Sequence, residues 1–181
     1  GTSAGAINAA ALASGADHFD HAVRRIARAW AHVHAQQVYH ADSLHVIQRG
    51  AHWLTLLSLG WALARWRRVH PHSLLNNAPL AQLLEKLVPL QRVPHLIRAG
   101  HLRALAVTAS SYNSGLHVTF LDAGDAQEPW VHSLRKSARG PITHAHLLAS
   151  SAIPLVFPAT ALPIDGHTEY FGDGSMRETS P

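Results

Sequence analysis

The sequence predicts an α/β fold, and three features of the chain lead to that expectation. Residues 1–5 read Gly-Thr-Ser-Ala-Gly and run directly into an alanine-rich stretch that is typical of a helix. Residues 102–111 and 116–121 have the partly alternating, aliphatic character of strands, and Asn-Ser-Gly between them predicts a turn. A short aromatic strand then ends at the Asp-Gly pair of residues 173–174. No repeat or linker divides the chain, so residues 1–181 are predicted to form a single domain.

Five stretches of the chain are predicted to be helical. The second has Asp17 or Asp20 as its candidate cap, and apolar side chains recur at helical spacing from Val23 onward. Turn chemistry around Pro79 starts the fourth, and Thr143 caps the fifth, which leads into a proline-rich segment at residues 153–163. In chain order, the predicted helices cover residues 4–13, 19–37, 44–68, 76–87 and 143–151.

Composition limits the class of protein. The chain has 181 residues, of which 47% are hydrophobic and 14% charged, so it is long and apolar enough to bury a sizeable core. It contains no cysteine, which excludes disulfides and thiolate metal sites and leaves the redox compartment open. The longest apolar run, residues 54–64, is shorter than the roughly 20 residues that a membrane-spanning helix needs.

The opening pentapeptide has the Gly-x-Ser-x-Gly pattern of a nucleophile at a sharp strand-to-helix turn. Such a turn lifts the Ser3 hydroxyl clear of the backbone, and a Cβ at Gly1 or Gly5 is expected to collide with a neighbouring strand or helix. The N–H groups at the start of the helix then face negative charge that develops beside Ser3. The pattern alone is weak evidence, because five residues with three fixed recur by chance.

Two further motifs strengthen that interpretation. Residues 149–158 read Ala-Ser-Ser-Ala-Ile-Pro-Leu-Val-Phe-Pro, and residues 170–175 read Tyr-Phe-Gly-Asp-Gly-Ser. With residues 1–5, these blocks resemble the patatin-like phospholipases, most closely the bacterial ones, a family of serine lipid acyl hydrolases. All three blocks occur in the family's order. The resemblance implies a three-layer α/β/α hydrolase domain that is incomplete at both ends.

The resemblance also implies roles for individual residues. Ser3 would be the nucleophile, and Asp173 would accept its proton directly as general base, so that an acyl-enzyme forms and water releases the acid. Gly174 would allow the tight turn that presents Asp173. The family has Gly or Ala where this chain has Ser175. No cofactor and no metal is expected.

The family's oxyanion hole comes from a Gly-rich loop that precedes the nucleophile. That loop and the strand before it are not within residues 1–181, so the chain is expected to be an internal fragment of a longer protein. Because oxyanion donors are often the largest catalytic contribution, the fragment alone is expected to be a weak catalyst. A signal peptide cannot be judged from this chain, and a cytoplasmic or peripheral membrane location is favoured.

Sixteen histidines suggest two other kinds of site. A Ser-His-Asp triad would need His144, His146 or His167, whereas α/β-hydrolases place the histidine after the acid, and none follows Asp173. Three His-x-His pairs suggest a metal, but none has the His-Glu-x-x-His spacing. Histidines occur in most segments of the chain, so compositional bias is the favoured explanation. The three pairs start at His32, His70 and His144.

An aromatic and basic run suggests contact with lipid. Residues 44–70 form a helical candidate cap in which tryptophans flank leucines and the basic residues follow. Such a composition is typical of a helix that lies on an anionic membrane surface, although core packing is the more common explanation for most of its leucines. Nucleic-acid binding is not expected, despite a calculated pI of about 10.1. The run contains Trp53, Trp61, Trp66, Arg65, Arg67 and Arg68.

The sequence therefore predicts a serine-dependent lipid acyl hydrolase of the phospholipase A type. Its substrate would be a lipid or another acyl ester. One alternative is a thioesterase or acyltransferase that uses the same Ser-Asp dyad. Another is a non-catalytic lipid-binding or scaffolding protein that retains the motif.

Overall fold

The computed structural model describes residues 1–32, 77–124 and 130–176. Within these ranges, short 3-10 turns precede two of the helices and follow the last strand. The helices are α1 (Ser3–Ala13), α2 (Phe19–His32), α3 (Ala78–Leu87), α4 (Val93–Arg98) and α5 (His144–Ser150). The strands are β1 (Ala104–Ser111), β2 (His117–Ala123), β3 (Val131–His132), β4 (Arg135–Arg139), β5 (Thr160–Ile164) and β6 (His167–Asp173).

The six strands form one mixed sheet in the order β3-β4-β2-β1-β6-β5. The predicted hairpin is present: β1 pairs with β2 in antiparallel register, with Val107 opposite Phe120. The end of β6 also pairs with β1, which places Asp173 opposite Ala109. Only the pairing of β2 with β4 is parallel among the described strands. A mixed sheet with helices packed against it confirms the α/β fold.

The core lies between the sheet and the helices. Small side chains on α1, including Ala6 and Ala10, are fully buried and let this helix approach β1 closely. Phe171 of β6 is also fully buried and meets Phe120 edge to face, with ring centroids 5.4 Å apart. Because Phe171 lies two residues before Asp173, the best-buried aromatic ring of the core also fixes the end of the strand that carries the acid.

Most of the predicted elements that fall on described residues are present. The first, fourth and fifth predicted helices correspond to α1, α3 and α5, and the second is seen as α2 up to His32. The candidate cap at residues 44–70 lies outside the described residues, and so do its tryptophans and arginines. That the whole chain is one domain with such a cap remains a prediction.

One hairpin was missed. From the sequence, residues 153–163 are a proline-rich segment with no predicted strand. In the structure, Thr160–Ile164 forms strand β5, which pairs antiparallel with β6. The turn between them is Asp165-Gly166, and both residues have positive φ, 49° and 81°. That is the geometry of a type I′ hairpin turn, for which Asp-Gly is a strong signal. Pro163 is tolerated because β5 is an edge strand.

Candidate active site

Ser3 lies at a sharp turn from extended backbone into helix α1. Gly1 runs beside β1, where its nitrogen donates to the Ala106 carbonyl (2.9 Å) and its carbonyl accepts from the Thr108 N–H (3.0 Å). Thr2 is still extended, and Ser3 then adopts a φ of 51°, in the left-handed region that non-glycine residues rarely occupy. Backbone of this kind costs on the order of 1–3 kcal/mol and persists only where the surroundings impose it.

The two glycines of the opening motif differ in what they are needed for. A Cβ on Gly1 would lie 2.7 Å from the Gly5 carbonyl oxygen, so only glycine fits there without a shift. A Cβ on Gly5 would meet no atom within 4 Å in the described part of the chain. Among the described residues, the expectation that a Cβ at Gly5 would collide was therefore wrong.

Asp173 ends strand β6 and is almost fully buried. Its Oδ2 accepts a hydrogen bond from the Ser3 hydroxyl at 2.7 Å, across 170 residues of sequence. Its Oδ1 accepts two more, from the N–H and the hydroxyl of Ser175, each at 2.8 Å. Its backbone N–H donates to the Ala152 carbonyl at 2.9 Å. The structure thus brings the predicted nucleophile and the predicted base into direct contact.

Gly174 lies where the turn after Asp173 passes close to β1. A Cβ at this position would overlap the Thr108 carbonyl oxygen and touch Cγ2 of Thr2 at 3.0 Å. Because the nearest obstacle is backbone, no side-chain rotation would relieve the overlap. The glycine is therefore required for the close approach that seats Asp173 beside Ser3.

Two residues of this site were not given roles from the sequence. Ser150, at the end of α5, is fully buried; its Oγ accepts from the Ser3 N–H (3.0 Å) and donates to the Thr108 carbonyl (2.7 Å). Ser175 was noted only as a departure from the family's Gly or Ala. The motif that contains Ser150 was the available signal, but a motif does not reveal which atoms its side chains contact.

A cavity of about 180 Å³ opens beside Ser3. It lies between α1, α2, α3 and the segment that follows α5, and its walls are almost entirely apolar. Ser3 at one end therefore adjoins a space suited to a hydrocarbon group. Its lining includes Ile7 and Ala11 of α1, Ile26 of α2, Leu80 and Leu84 of α3, and Phe157.

The Tyr112 phenol lies close enough to Asp173 for the charge of that carboxylate to affect its pKa. Tyr112 follows β1, and its ring lies against the backbone of Gly172, next to Asp173. Burial raises the pKa of Tyr112, and the negative charge of Asp173 raises that pKa further. The phenol therefore senses the ionised form of the acid.

The three histidines considered for a triad form their hydrogen bonds with residues other than Ser3 and Asp173 in the described part of the chain. His144 Nε2 bonds with the Val88 carbonyl (2.9 Å), and His167 Nε2 bonds with Glu169 (2.9 Å). His146 Nδ1 accepts from the N–H of Thr143 (2.9 Å) in the capping box of α5, and burial lowers the pKa of His146 to about 4. The dyad contact is made without any of them.

Two absences hold for the described ranges 1–32, 77–124 and 130–176. No three histidine, aspartate or glutamate side chains there are grouped closely enough to hold a metal ion. No helix in those same ranges is long and apolar enough to cross a lipid bilayer.

The chain matches the sequence model of a known family. The sequence model of the family described as patatin-like phospholipase matches residues 1–181, the full length of the chain. No curated protein and no solved structure matches it.

Proposed function

The chain belongs to the patatin-like phospholipase family, a membership that points to a lipid acyl hydrolase, and on that basis we propose that it cleaves acyl ester bonds through a Ser3–Asp173 dyad. The observation that carries the proposal is the 2.7 Å hydrogen bond from Ser3 Oγ to Asp173 Oδ2. A serine hydroxyl is a weak nucleophile until a base within hydrogen-bond reach takes its proton, and the short distance to Asp173 supports that role for its carboxylate.

The reaction follows from that contact. Ser3 Oγ attacks the acyl carbon while its proton passes to Asp173 Oδ2, which gives a tetrahedral oxyanion. The oxyanion collapses, the alcohol leaves with the proton from Asp173, and an acyl-enzyme on Ser3 remains. Water then attacks the acyl carbon while Asp173 accepts its proton, which gives a second tetrahedral oxyanion. As this oxyanion collapses, the bond to Ser3 Oγ breaks, the proton returns from Asp173 to Ser3 Oγ, and the carboxylic acid is released. Both half-reactions use the same carboxylate.

Charge on the oxyanion needs hydrogen-bond donors. Ser3 starts α1, an 11-residue helix whose positive N-terminal end favours negative charge at this point. The Ser3 N–H is already donated to Ser150, so it does not serve the oxyanion. In this family a Gly-rich loop would supply such donors. Losing one such donor costs about 100- to 1,000-fold in rate.

The apolar cavity is the proposed site for the acyl chain. Its volume of about 180 Å³ exceeds the roughly 150 Å³ of an engineered protein cavity that binds benzene. It runs along α1 from Ser3 toward Ala11, which are eight positions apart, or about 12 Å of helix. A chain of several methylenes would fit with its carbonyl at Ser3 and its tail among the leucines of α3.

Fluorophosphonate labelling of the full-length protein tests the proposal. We expect labelling at Ser3, none in Ser3→Ala, and at least about 1,000-fold slower p-nitrophenyl ester hydrolysis in both Ser3→Ala and Asp173→Asn. Because the two residues act as a unit, the double variant should be little worse than either single one. Near-normal turnover by Asp173→Asn would place the base elsewhere and refute the dyad.

The same assays separate the alternatives. Labelling with acyl transfer to an added alcohol or thiol, and little hydrolysis, would favour an acyltransferase. A faster reaction with thioesters would favour a thioesterase. Liposome binding without labelling would favour a non-catalytic lipid-binding protein.

Contact with an anionic membrane surface also remains a proposal from the sequence. Reversing the charge of Arg65, Arg67 and Arg68 to Glu should weaken sedimentation with anionic liposomes more than it slows hydrolysis of a soluble short-chain ester. Unchanged sedimentation would assign this run to the protein interior.

A further inference from the structure

The N-terminus of α1 is capped by a residue far away in the sequence. The residue before the helix, Thr2, has a side chain suited to capping, yet it makes no cap hydrogen bond. Instead, the Ser3 N–H donates to Oγ of Ser150, 147 positions later. The first four N–H groups of a helix have no partner within it, so this bond satisfies one of them from outside.

Ser150 is itself firmly held. It is fully buried, and its hydroxyl proton is committed to the Thr108 carbonyl at 2.7 Å. The oxygen therefore presents a lone pair to the Ser3 N–H in one orientation. Thr108 belongs to β1, and its own N–H donates to the Gly1 carbonyl. The turn formed by residues 1–5 (the elbow) is thus tied to β1 directly at Gly1 and, through Ser150, at the Ser3 N–H.

From these contacts we propose that Ser150 is a positioning residue, whose hydroxyl holds the Ser3 backbone so that Oγ faces Asp173; this rests on the dyad proposed above. The strained φ of 51° at Ser3 requires an external constraint, and the bond to Ser150 supplies one. The same segment holds the other partner, because the Ala152 carbonyl accepts from the Asp173 N–H. One short stretch therefore sets the distance between nucleophile and base.

The consequence is a loss of rate rather than of binding. Without the Ser150 hydroxyl, the elbow can relax from its strained conformation and Oγ moves away from Asp173. A displacement of about 1 Å in a reacting group can cost about 100-fold in rate. The cavity wall does not depend on this hydroxyl, so KM should change little.

The experiment compares Ser150→Ala with Ser137→Ala in the full-length protein. Ser137 is a matched control: it is buried, its Oγ accepts from the Trp130 N–H (2.7 Å) and donates to the Trp130 carbonyl, and it lies in β4, away from the dyad. We expect a similar fall in Tm for both variants. Only Ser150→Ala should lose about 10- to 100-fold in kcat and in the rate of fluorophosphonate labelling, with KM within about threefold.

A graded variant keeps the test decisive. Ser150→Cys retains a weaker donor and acceptor, so its kcat should fall between those of wild type and Ser150→Ala. If the alanine variant does not fold, the kcat of the cysteine variant is compared with that of wild type alone and should be lower. Wild-type labelling rates in both Ser150 variants would overturn the positioning role while leaving the dyad intact. Equal losses in Ser150→Ala and Ser137→Ala would overturn it as well. An unlabelled wild type would refute the dyad and the inference together.

Discussion

The two ends of the chain that meet at the site are held in different ways. Ser3 is held through its backbone: bonds of Gly1 to β1 and of the Ser3 N–H to Ser150 maintain its strained φ of 51°. Asp173 ends a regular strand, where its N–H donates to the Ala152 carbonyl. Its side chain is held in addition, because its two oxygens accept three hydrogen bonds from Ser3 and Ser175.

The difference indicates what each partner must do. The nucleophile has to present a hydroxyl on a tight turn, which only an unusual backbone conformation allows. The carboxylate has to keep one oxygen aimed at that hydroxyl, which the N–H and the hydroxyl of Ser175 achieve by donating to its other oxygen. Substitutions at the serine end should therefore act through backbone geometry, and those at the aspartate end through packing and hydrogen bonds around the carboxylate.

The largest effect is expected from Gly174→Ala. Its Cβ would overlap the Thr108 carbonyl oxygen, so β1 and the turn must separate, and overpacking of this kind costs about 1–3 kcal/mol. For a chain of this size that is a fall in Tm of several degrees, measured by differential scanning calorimetry. Hydrolysis should fall in the same variant because Asp173 moves away from Ser3.

Gly5→Ala is the matched control at the serine end. A Cβ there meets no described atom within 4 Å, and alanine favours a helix over glycine by about 1 kcal/mol, so Tm should stay or rise slightly. Equal destabilisation by Gly174→Ala and Gly5→Ala would contradict the contrast between the two ends.

Ser175→Ala should have the next largest effect. It removes the hydroxyl bond to Oδ1 of Asp173 and leaves the bond from the Ser175 N–H. We expect kcat to fall about 3- to 10-fold, because a single hydrogen bond to a charged group contributes about 1.5–3 kcal/mol and the N–H retains part of that constraint. Steady-state kinetics checks this, and an unchanged kcat would show that the backbone alone orients the carboxylate.

A comparison of Ser3→Gly with Ser3→Ala isolates the strain of the elbow. Neither variant has a nucleophile, but glycine adopts positive φ freely whereas alanine does not. Ser3→Gly should therefore be more stable by about 1 kcal/mol, or roughly 2–4 °C in Tm. If Ser3→Ala were equally stable, the elbow would have relaxed and the strain would not be imposed by its surroundings.

The smallest effect concerns the charge at the aspartate end. Burial and the Asp173 carboxylate both raise the pKa of Tyr112. Asp173→Asn removes the negative charge, so the Tyr112 phenol should ionise at lower pH, while burial still keeps its pKa above the ordinary value. Spectrophotometric titration, with Tyr112→Phe to assign the signal, measures the change. An unchanged Tyr112 pKa would mean that Asp173 carries no charge near the phenol.

Local signals in the sequence predicted what depends on neighbouring residues. The β1–β2 hairpin followed from its turn residues. The contact between Ser3 and Asp173 has no local signal, and it was expected because three ordered motifs resemble those of the family. The β5–β6 hairpin had an equally local signal in Asp165-Gly166, which was overlooked because the prolines before it suggested irregular structure.

The remaining features depend on the tertiary fold. Whether a glycine is required depends on what stands opposite it, which is why Gly1 and Gly5 looked alike in sequence but differ in the structure. Ser150 and Ser175 contact the dyad through atoms that only the folded chain brings together, so no spacing rule would have assigned them.

The contact between Ser3 and Asp173 also has a consequence for folding. It joins positions 170 apart, and pairing of β1 with β6 is needed before it can form. Contacts of such long range are entropically costly to close and tend to slow folding. Helices and the local β1–β2 hairpin can therefore form well before the nucleophile meets its base. Recovery of Ser3 reactivity during refolding would mark the completion of the fold, later than the return of helical circular dichroism.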